Sequence, residues 1–295
     1  GDLVQQHLPT SVFAPVAPSQ RSRVPGRASY RAMATPDPRS LLLAAADDPA
    51  SDVAEAALWM AAEDSPGLRP EPRLNLLDDL AAELDGGRRH GPSAALAAVL
   101  RTRLGLHGAG GGDPRTHYLN SVLERGAGTP IACGAIWMGV GRRAGIRVEG
   151  IALPGHFAVR VDGLVVDACS GEPLDEGALL RTAGRHLGHE PERVEPRWLE
   201  PATPRRILAR MSRNLRGCYA SLENWPLALL AADRCVDLLP DEPAERRDRG
   251  LLLWQMGRPQ GALRDLSDYL ATAAADAPDR GHVNEVVGRL RSFLN

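Results

Sequence analysis

No lysine occurs in this 295-residue chain; all 35 of its basic side chains are arginine. That absence excludes a Schiff-base lysine and the phosphate-cradling lysine of a P-loop. Together with abundant Ala, 30 Gly and 24 Pro, it points to a GC-rich coding sequence rather than to a function. Aromatics are few, at 4%, while the apolar content of 43% is ordinary for a soluble globule. The four cysteines (Cys133, Cys169, Cys218, Cys235) lie far apart with no CxxC pair. A zinc knuckle is therefore excluded, a disulfide scaffold is not expected at this size, and reduced thiols in a cytoplasm are the expectation. No run of 18 apolar residues exists to span a membrane, and the N-terminus lacks the charged-then-apolar layout of a signal peptide. A formal net charge of −2 gives no electrostatic reason to expect nucleic acid or an anionic membrane as a partner.

What is present falls into segments. Residues 1–37, rich in Pro, Ser, Arg and Ala without periodicity, are expected to form a disordered tail. From about Pro38 to Leu106 the pattern is helical. Leu41, Leu42 and Ala45, then Val53, Ala56, Ala57 and Met60, then Leu74, Leu77, Leu80 and Leu84 recur at three- and four-residue spacing. His107 to Pro114, containing GAGGGDP, is expected to be a flexible loop. It has neither the lysine nor the strand-to-helix context of a phosphate site. Thr129 is a plausible N-cap, with Pro130 at the first helical position, where its missing N–H costs nothing. This helix runs to Arg142-Arg143, expected to be a solvated helix end, and stops at Gly145.

Three strands are predicted next: Arg147 to Ile151, His156 to Val161 and Leu164 to Ala168. Asp162-Gly163 is a strong two-residue hairpin turn. That turn sets Val161 opposite Leu164, Val159 opposite Val166 and Phe157 opposite Ala168, which makes one face wholly apolar. The other face, expected to be polar, holds His156, Ala158 and Arg160, with Ala158 directly across from Asp167. His156 and Asp167 are then diagonal neighbours, roughly 7 Å apart at Cβ, which suits an imidazole–carboxylate hydrogen bond. The turn and the apolar residues fix this register, and neither His156 nor Asp167 is used to set it.

From about Pro204 to Asn295 the chain repeats: Ala228-Leu229 recurs as Ala262-Leu263, an offset of 34 residues. Leu215, Tyr219, Ala228 and Pro240 fall at tetratricopeptide spacing. In the second copy Gly250 and Ala262 fit, but Leu253 replaces the Tyr. A terminal helix is predicted over His282 to Phe293, and two repeats are few for a free-standing solenoid, so docking on the preceding domain is expected.

The runs YLNSVLERGAGTPI, RRAGIRVEGIALPGHF, VVDACSGEPLD, RNLRGCY and ERRDRGLLLWQMG, in this order, resemble the bacterial SirB-type family over about residues 40–290. The resemblance implies an α+β fold. A papain/transglutaminase-like core, a helix packed on a small antiparallel sheet, would follow N-terminal helices and precede C-terminal tetratricopeptide-like repeats. The implied division is a tail over 1–37, a transglutaminase-like domain over 38–203 and a helical-repeat domain over 204–295. The superfamily carries Cys at a helix N-terminus, His on one strand and Asp on the next. His156 and Asp167 match the last two. The Cys normally precedes the Gly of the helix-ending R-x-x-G-I by fifteen residues, and here that position is Pro130.

Cys133 is the other candidate nucleophile. It lies in the first turn or so of the helix, where exposed N–H groups lower a thiol pKa. Yet it is about 4.5 Å along the axis and roughly 60° around it from Pro130, and a buried core cysteine is the simpler expectation. Cys169, on the strand side, is a less favoured displaced thiol, and His186 and His189 are expected to be surface histidines rather than metal ligands. No cofactor or metal is expected. Two functions follow. The first is a degenerate transglutaminase-like protein, regulatory or accessory, binding a peptide or acyl-type ligand and, through the repeats, a protein partner. The alternative is a Cys133–His156–Asp167 thiol enzyme, a peptidase, deamidase or acyl transferase.

Overall fold

The computed structural model describes residues 37–86, 91–189 and 191–295, so the expected tail falls almost wholly outside the described residues. Four helices come first: α1 (Pro38–Asp47), α2 (Val53–Asp64), α3 (Glu71–Ala82) and α4 (Pro92–Leu104). The side chains of Asp37 and Asp52 cap the first two by accepting the backbone N–H of Ser40 and Ala54. The periodic residues Leu42, Val53, Ala56, Ala57, Met60, Leu77, Leu80 and Leu84 are all buried, as their spacing requires.

The loop expected after α4 is present over 109–113, but it is braced at both ends. His107–Gly108 forms a short strand, β1, paired in parallel with β2 (Ala127–Gly128). Thr116 Oγ1 donates to Gly110 O at 3.0 Å, and a ring nitrogen of His117 lies 2.8 Å from Gly111 O. Two-residue strands carry no periodicity, so the sequence gives no sign of this brace.

Between β1 and β2 runs α5 (Leu119–Arg125), and α6 (Pro130–Arg143) follows β2. The central helix of the fold is α6, buried from Ile131 to Trp137 and again at Gly139, Val140 and Gly141. Thr129 stands at its N-cap and Pro130 at its first position, although the Thr129 hydroxyl makes no cap bond. Glycine in mid-helix is ordinarily unfavourable, and here close approach explains it. A Cβ on Gly134 would stand 2.6 Å from the Phe157 ring, so only a hydrogen there lets the helix lie on the sheet. Arg143 is not a solvated end: it is half-buried and pairs with Asp52 at 2.5 Å and Asp78 at 2.7 Å, tying α6 to α2 and α3.

The sheet is antiparallel, ordered β3 (Val148–Leu153), β4 (His156–Val161), β5 (Leu164–Asp167). Asp162 and Gly163 both have positive φ, 50° and 80°, the conformation a two-residue hairpin with right-handed strand twist requires. The register is the one the apolar residues dictate: Val161 faces Leu164, Val159 faces Val166 and Ala158 faces Asp167. Phe157, Val159 and Val161 lie in the main core with α6. The opposite face departs from expectation. It is polar only in part, because Ile151, Leu153 and Ala158 form a second, smaller core with Leu179, Ala183 and Trp198. Leu179 and Ala183 belong to α7 (Glu176–Leu187), capped by the Asp175 side chain. Its apolar stripe is only a few residues long, which is why it escapes a coarse reading of the sequence.

Two helical pairs and a last helix complete the chain: α8 (Pro204–Ser221) with α9 (Trp225–Leu238), α10 (Pro243–Gln255) with α11 (Pro259–Thr272), then α12 (Arg280–Leu294). Ala228 and Ala262, equivalent across the 34-residue offset, are both fully buried. The first pair shares the main apolar core with the preceding helices, through Ile207, Leu208, Met211, Ala228 and Ala232. Polar contacts reinforce this docking. Arg234, fully buried, bonds Asp64 at 2.6 Å, and Tyr118 donates its hydroxyl to the same carboxylate at 2.5 Å. The Tyr118 and Tyr219 hydroxyls are 3.0 Å apart.

Candidate functional site

The hairpin delivers His156 and Asp167 together. His156 Nε2 lies 2.8 Å from Asp167 Oδ2, and both side chains are about four-fifths buried, at 18% and 19% exposure. The other carboxylate oxygen accepts the backbone N–H groups of Cys169 at 2.9 Å and Ser170 at 2.8 Å. Asp167 is thus fixed by the turn that follows it and in turn fixes the imidazole. Burial by itself would raise its pKa, but the His156 hydrogen bond and charge and the Ser170 and Cys169 N–H groups outweigh that and bring it down to about 2. No hydrogen bond among the described residues engages His156 Nδ1, which leaves that nitrogen available to a bound group.

The sign of the pH effect follows from the lowered pKa. Asp167 contributes stability that is complete above its unfolded value near 3.8 and is lost as pH falls through about 2. Asp167→Asn is therefore expected to cost about 2 kcal/mol at neutral pH and to flatten the acid limb of the stability curve between about pH 4 and 2. Urea midpoints measured across that range check it. An unchanged acid limb would mean that the pairing carries no stability.

Cys133 makes no hydrogen bond to either member of this pair among the described residues. It is fully buried in the first turn of α6, and its Sγ lies 3.9 Å from His107 O. A Cβ on Gly128 would approach that sulfur to 3.1 Å, so β2 closes over it. The thiol pKa is pushed well up, first by the neighbouring Cys169 side chain, then by burial and by the Asp167 carboxylate. The helix N-terminus, which would favour a thiolate, is overridden. No hydrogen bond connects Cys133 to His156 among the described residues. Pro130, at the first position of α6, where the resemblance puts the nucleophile, offers no side chain capable of attack.

Cys169 is half-buried in the turn after β5, beside Asp167. His186 is half-buried, its ring packed where a Cβ on Gly155 would come within 2.5 Å, whereas His189 is exposed. Sequence reasoning missed the part that His107, Gly108 and Gly128 play in enclosing Cys133, and His186 as a neighbour of the β3–β4 turn. Among the described residues no group of three or more His, Cys, Asp and Glu side chains is placed to hold a metal ion. No helix of the described residues is long and apolar enough to cross a membrane.

A helix laid on an antiparallel hairpin that pairs His with Asp, followed by antiparallel helical pairs, defines a transglutaminase-like domain joined to tetratricopeptide repeats. Residues 73–213 match the family model of the transglutaminase-like superfamily and residues 215–288 that of the tetratricopeptide repeat. The chain belongs to the SirB-type family of UPF0162 proteins. It is 43% identical over 190 residues to a UPF0162 protein of Xylella fastidiosa, a match covering 62% of this chain and 66% of that protein, just under two thirds of its length. It is 31% identical over 242 residues to UPF0162 protein PA3419 of Pseudomonas aeruginosa, covering 79% of this chain and 89% of that protein. Protein SirB1 of Salmonella typhimurium is more distant, 24% identical over 164 residues, 54% of this chain and 61% of that protein. No solved structure matches the chain.

Proposed function

We propose that this chain is a degenerate transglutaminase-like protein. In this reading the His156–Asp167 cleft binds a peptide or acyl-type ligand without attacking it, and the helical repeats carry a protein partner in a regulatory or accessory role. The supporting observation is Cys133: fully buried, closed over by β2, and with a thiol pKa pushed well up beside Cys169 and Asp167. A thiol in that state is a poor nucleophile. The four cysteines are free thiols, which fits a reducing cytoplasm as the place of action. The boundary between the two parts is drawn at residues 203/204, where the Thr203 hydroxyl caps α8.

The alternative, a Cys133–His156–Asp167 peptidase, deamidase or acyl transferase, is favoured by one observation. His156 is oriented through Nε2, with Nδ1 left free to serve as base. An activated ester separates the two readings. With p-nitrophenyl acetate, intact-protein and peptide mass spectrometry is expected to find no acetyl group on Cys133, and Cys133→Ala should leave ester hydrolysis unchanged. An acetylated Cys133 that disappears in His156→Ala would overturn the binding reading. An N-acetylated dipeptide amide is expected to shift the His156 ring resonances in both wild type and Cys133→Ala; no shift in either would remove the case for a ligand cleft.

A further inference from the structure

We propose that Cys133 and Cys169 form a reversible dithiol, a modification site that a peroxide oxidises to a disulfide. They lie 36 positions apart, far beyond any CxxC spacing, so only the fold brings them together. Trp137 stands one helical turn after Cys133, on the same side of α6. Its indole N–H donates to Ala168 O at 2.9 Å and so pins the turn carrying Cys169 against that side of the helix. The same turn is held by Asp167, whose side chain accepts the Cys169 and Ser170 N–H groups and whose backbone oxygen accepts Gly171 N–H at 2.8 Å.

The short parallel bridge supplies the floor beneath both sulfurs. Gly108 and Gly128 are register partners. A Cβ on Gly128 would stand 3.1 Å from Cys133 Sγ, and one on Gly108 would stand 3.2 Å from Cys169 Cβ and 3.3 Å from Cys169 Sγ. Cys133 Sγ also lies 3.9 Å from His107 O, the carbonyl that precedes Gly108. The two thiols thus sit side by side over one glycine rung, and the Cys169 side chain is the first cause of the raised Cys133 pKa. Side chains at either glycine would keep them from this place.

The roles are unequal. Cys133 has no exposed surface, whereas Cys169 is only half-buried and lines a shallow depression with Arg101, Ser170 and Gly171. Cys169 therefore meets the oxidant. Once deprotonated, its sulfur attacks a peroxide oxygen: an S–O bond forms, the O–O bond breaks, and the departing hydroxide takes up a proton as water. Cys133 is slow toward outside reagents, but the sulfenic sulfur of Cys169 is brought to it by the fold, and the Cys133 sulfur attacks it as an internal nucleophile. The S–S bond forms, the S–O bond breaks, and the second hydroxide leaves as water with the Cys133 proton. Two thiols supply the two electrons that reduce one peroxide to two waters. The product would tie the turn that fixes Asp167 to α6, so the oxidation state of the pair would bear on the His156–Asp167 geometry.

The test uses the full reduced chain and hydrogen peroxide. Peptide mapping is expected to find a Cys133–Cys169 crosslinked peptide, lighter by two hydrogens, that dithiothreitol reverses, with Cys218 and Cys235 still free. In Cys133→Ala the sulfenic acid should persist on Cys169, and its dimedone adduct should exceed that of the wild type by about tenfold. Recovery of Cys133 and Cys169 unlinked, or equal dimedone labelling in the two proteins, would overturn the proposal. Should Cys133→Ala fail to fold, Cys169→Ala serves instead: Cys133 should then survive peroxide as a thiol, and its oxidation would contradict Cys169 as the first site of attack. This test reads the oxidised protein, so its outcome is separate from the ester experiment on the reduced one.

Discussion

Asp64→Ala is expected to lower the stability of the whole chain by about 3 kcal/mol, because it strands the buried guanidinium of Arg234. Arg234 has no exposed surface and reaches Asp64 at 2.6 Å. Glu63 stays 3.2 Å from Arg234 Nε, so the expected cost sits at the lower end of that for a broken buried pair. The lost Tyr118 hydrogen bond acts in the same direction. Burial raises the Asp64 pKa while Arg234 and Tyr118 oppose it, so the carboxylate is itself costly without its partners. The double variant Asp64→Leu, Arg234→Met should therefore recover most of the loss, since replacing both charges removes both desolvation penalties. Chemical denaturation of the two proteins checks this. A double variant no better than the single one would mean that the pair itself, rather than relief of a stranded charge, stabilises the docking of α9 on α2.

Phe157→Ala is expected to cost about 3–5 kcal/mol, the range for removing a large aromatic from a close-packed core. Its ring, 1% exposed, fills the gaps left by Gly134 on α6 and Gly150 on β3, and the Arg210 guanidinium lies 6.0 Å above it. Burial, and secondarily the charge of Arg213, lower the pKa of that guanidinium to about 10. Truncation opens a cavity beneath the residue next to His156, so the ligand proposed for the His156–Asp167 pair should lose affinity as well as the protein losing stability. An unfolding free energy within about 1 kcal/mol of wild type, from the same denaturation curves, would show that α6 collapses onto the sheet without the ring.

The hairpin was legible in the sequence because two independent signals agree on it. Asp162-Gly163 fixes the loop length, and alternating Phe157, Val159, Val161 and Val166 fix the face; a slip of one residue would turn them all toward solvent. His156 and Asp167 follow from that register without being used to build it, and their 2.8 Å contact is the result. The 34-residue offset was legible for a similar reason, since Ala228 and Ala262 fill equivalent tight places. The contacts of Arg143 with Asp52 and Asp78, and those of Arg234 with Asp64, were not legible. Long arginine side chains select partners by three-dimensional placement, and a charge on a helix carries no periodic mark of its distant partner. The two-residue strands at His107 and Ala127 were invisible for want of length, and with them the closure over Cys133. Cys133 itself gave conflicting signals, a helix N-terminus favouring the thiolate and an apolar stretch favouring burial. The Cys169 thiol and the Asp167 carboxylate beside it, with burial, decide the balance toward the thiol.

The relative alkylation rates of the four cysteines in the reduced protein test the central claim most directly. Timed exposure to iodoacetamide near neutral pH, followed by peptide mass spectrometry, gives a rate for each thiol. Cys133 is expected to be the slowest or to share last place with Cys235, which is also fully buried and has its pKa pushed up to about 12. Cys169, the one of the four that is not buried, should be the fastest, and His156→Ala should leave the Cys133 rate unchanged. Cys133 reacting faster than Cys218 and Cys235, and slowed by His156→Ala, would contradict the account and make the thiol enzyme the better description of this chain.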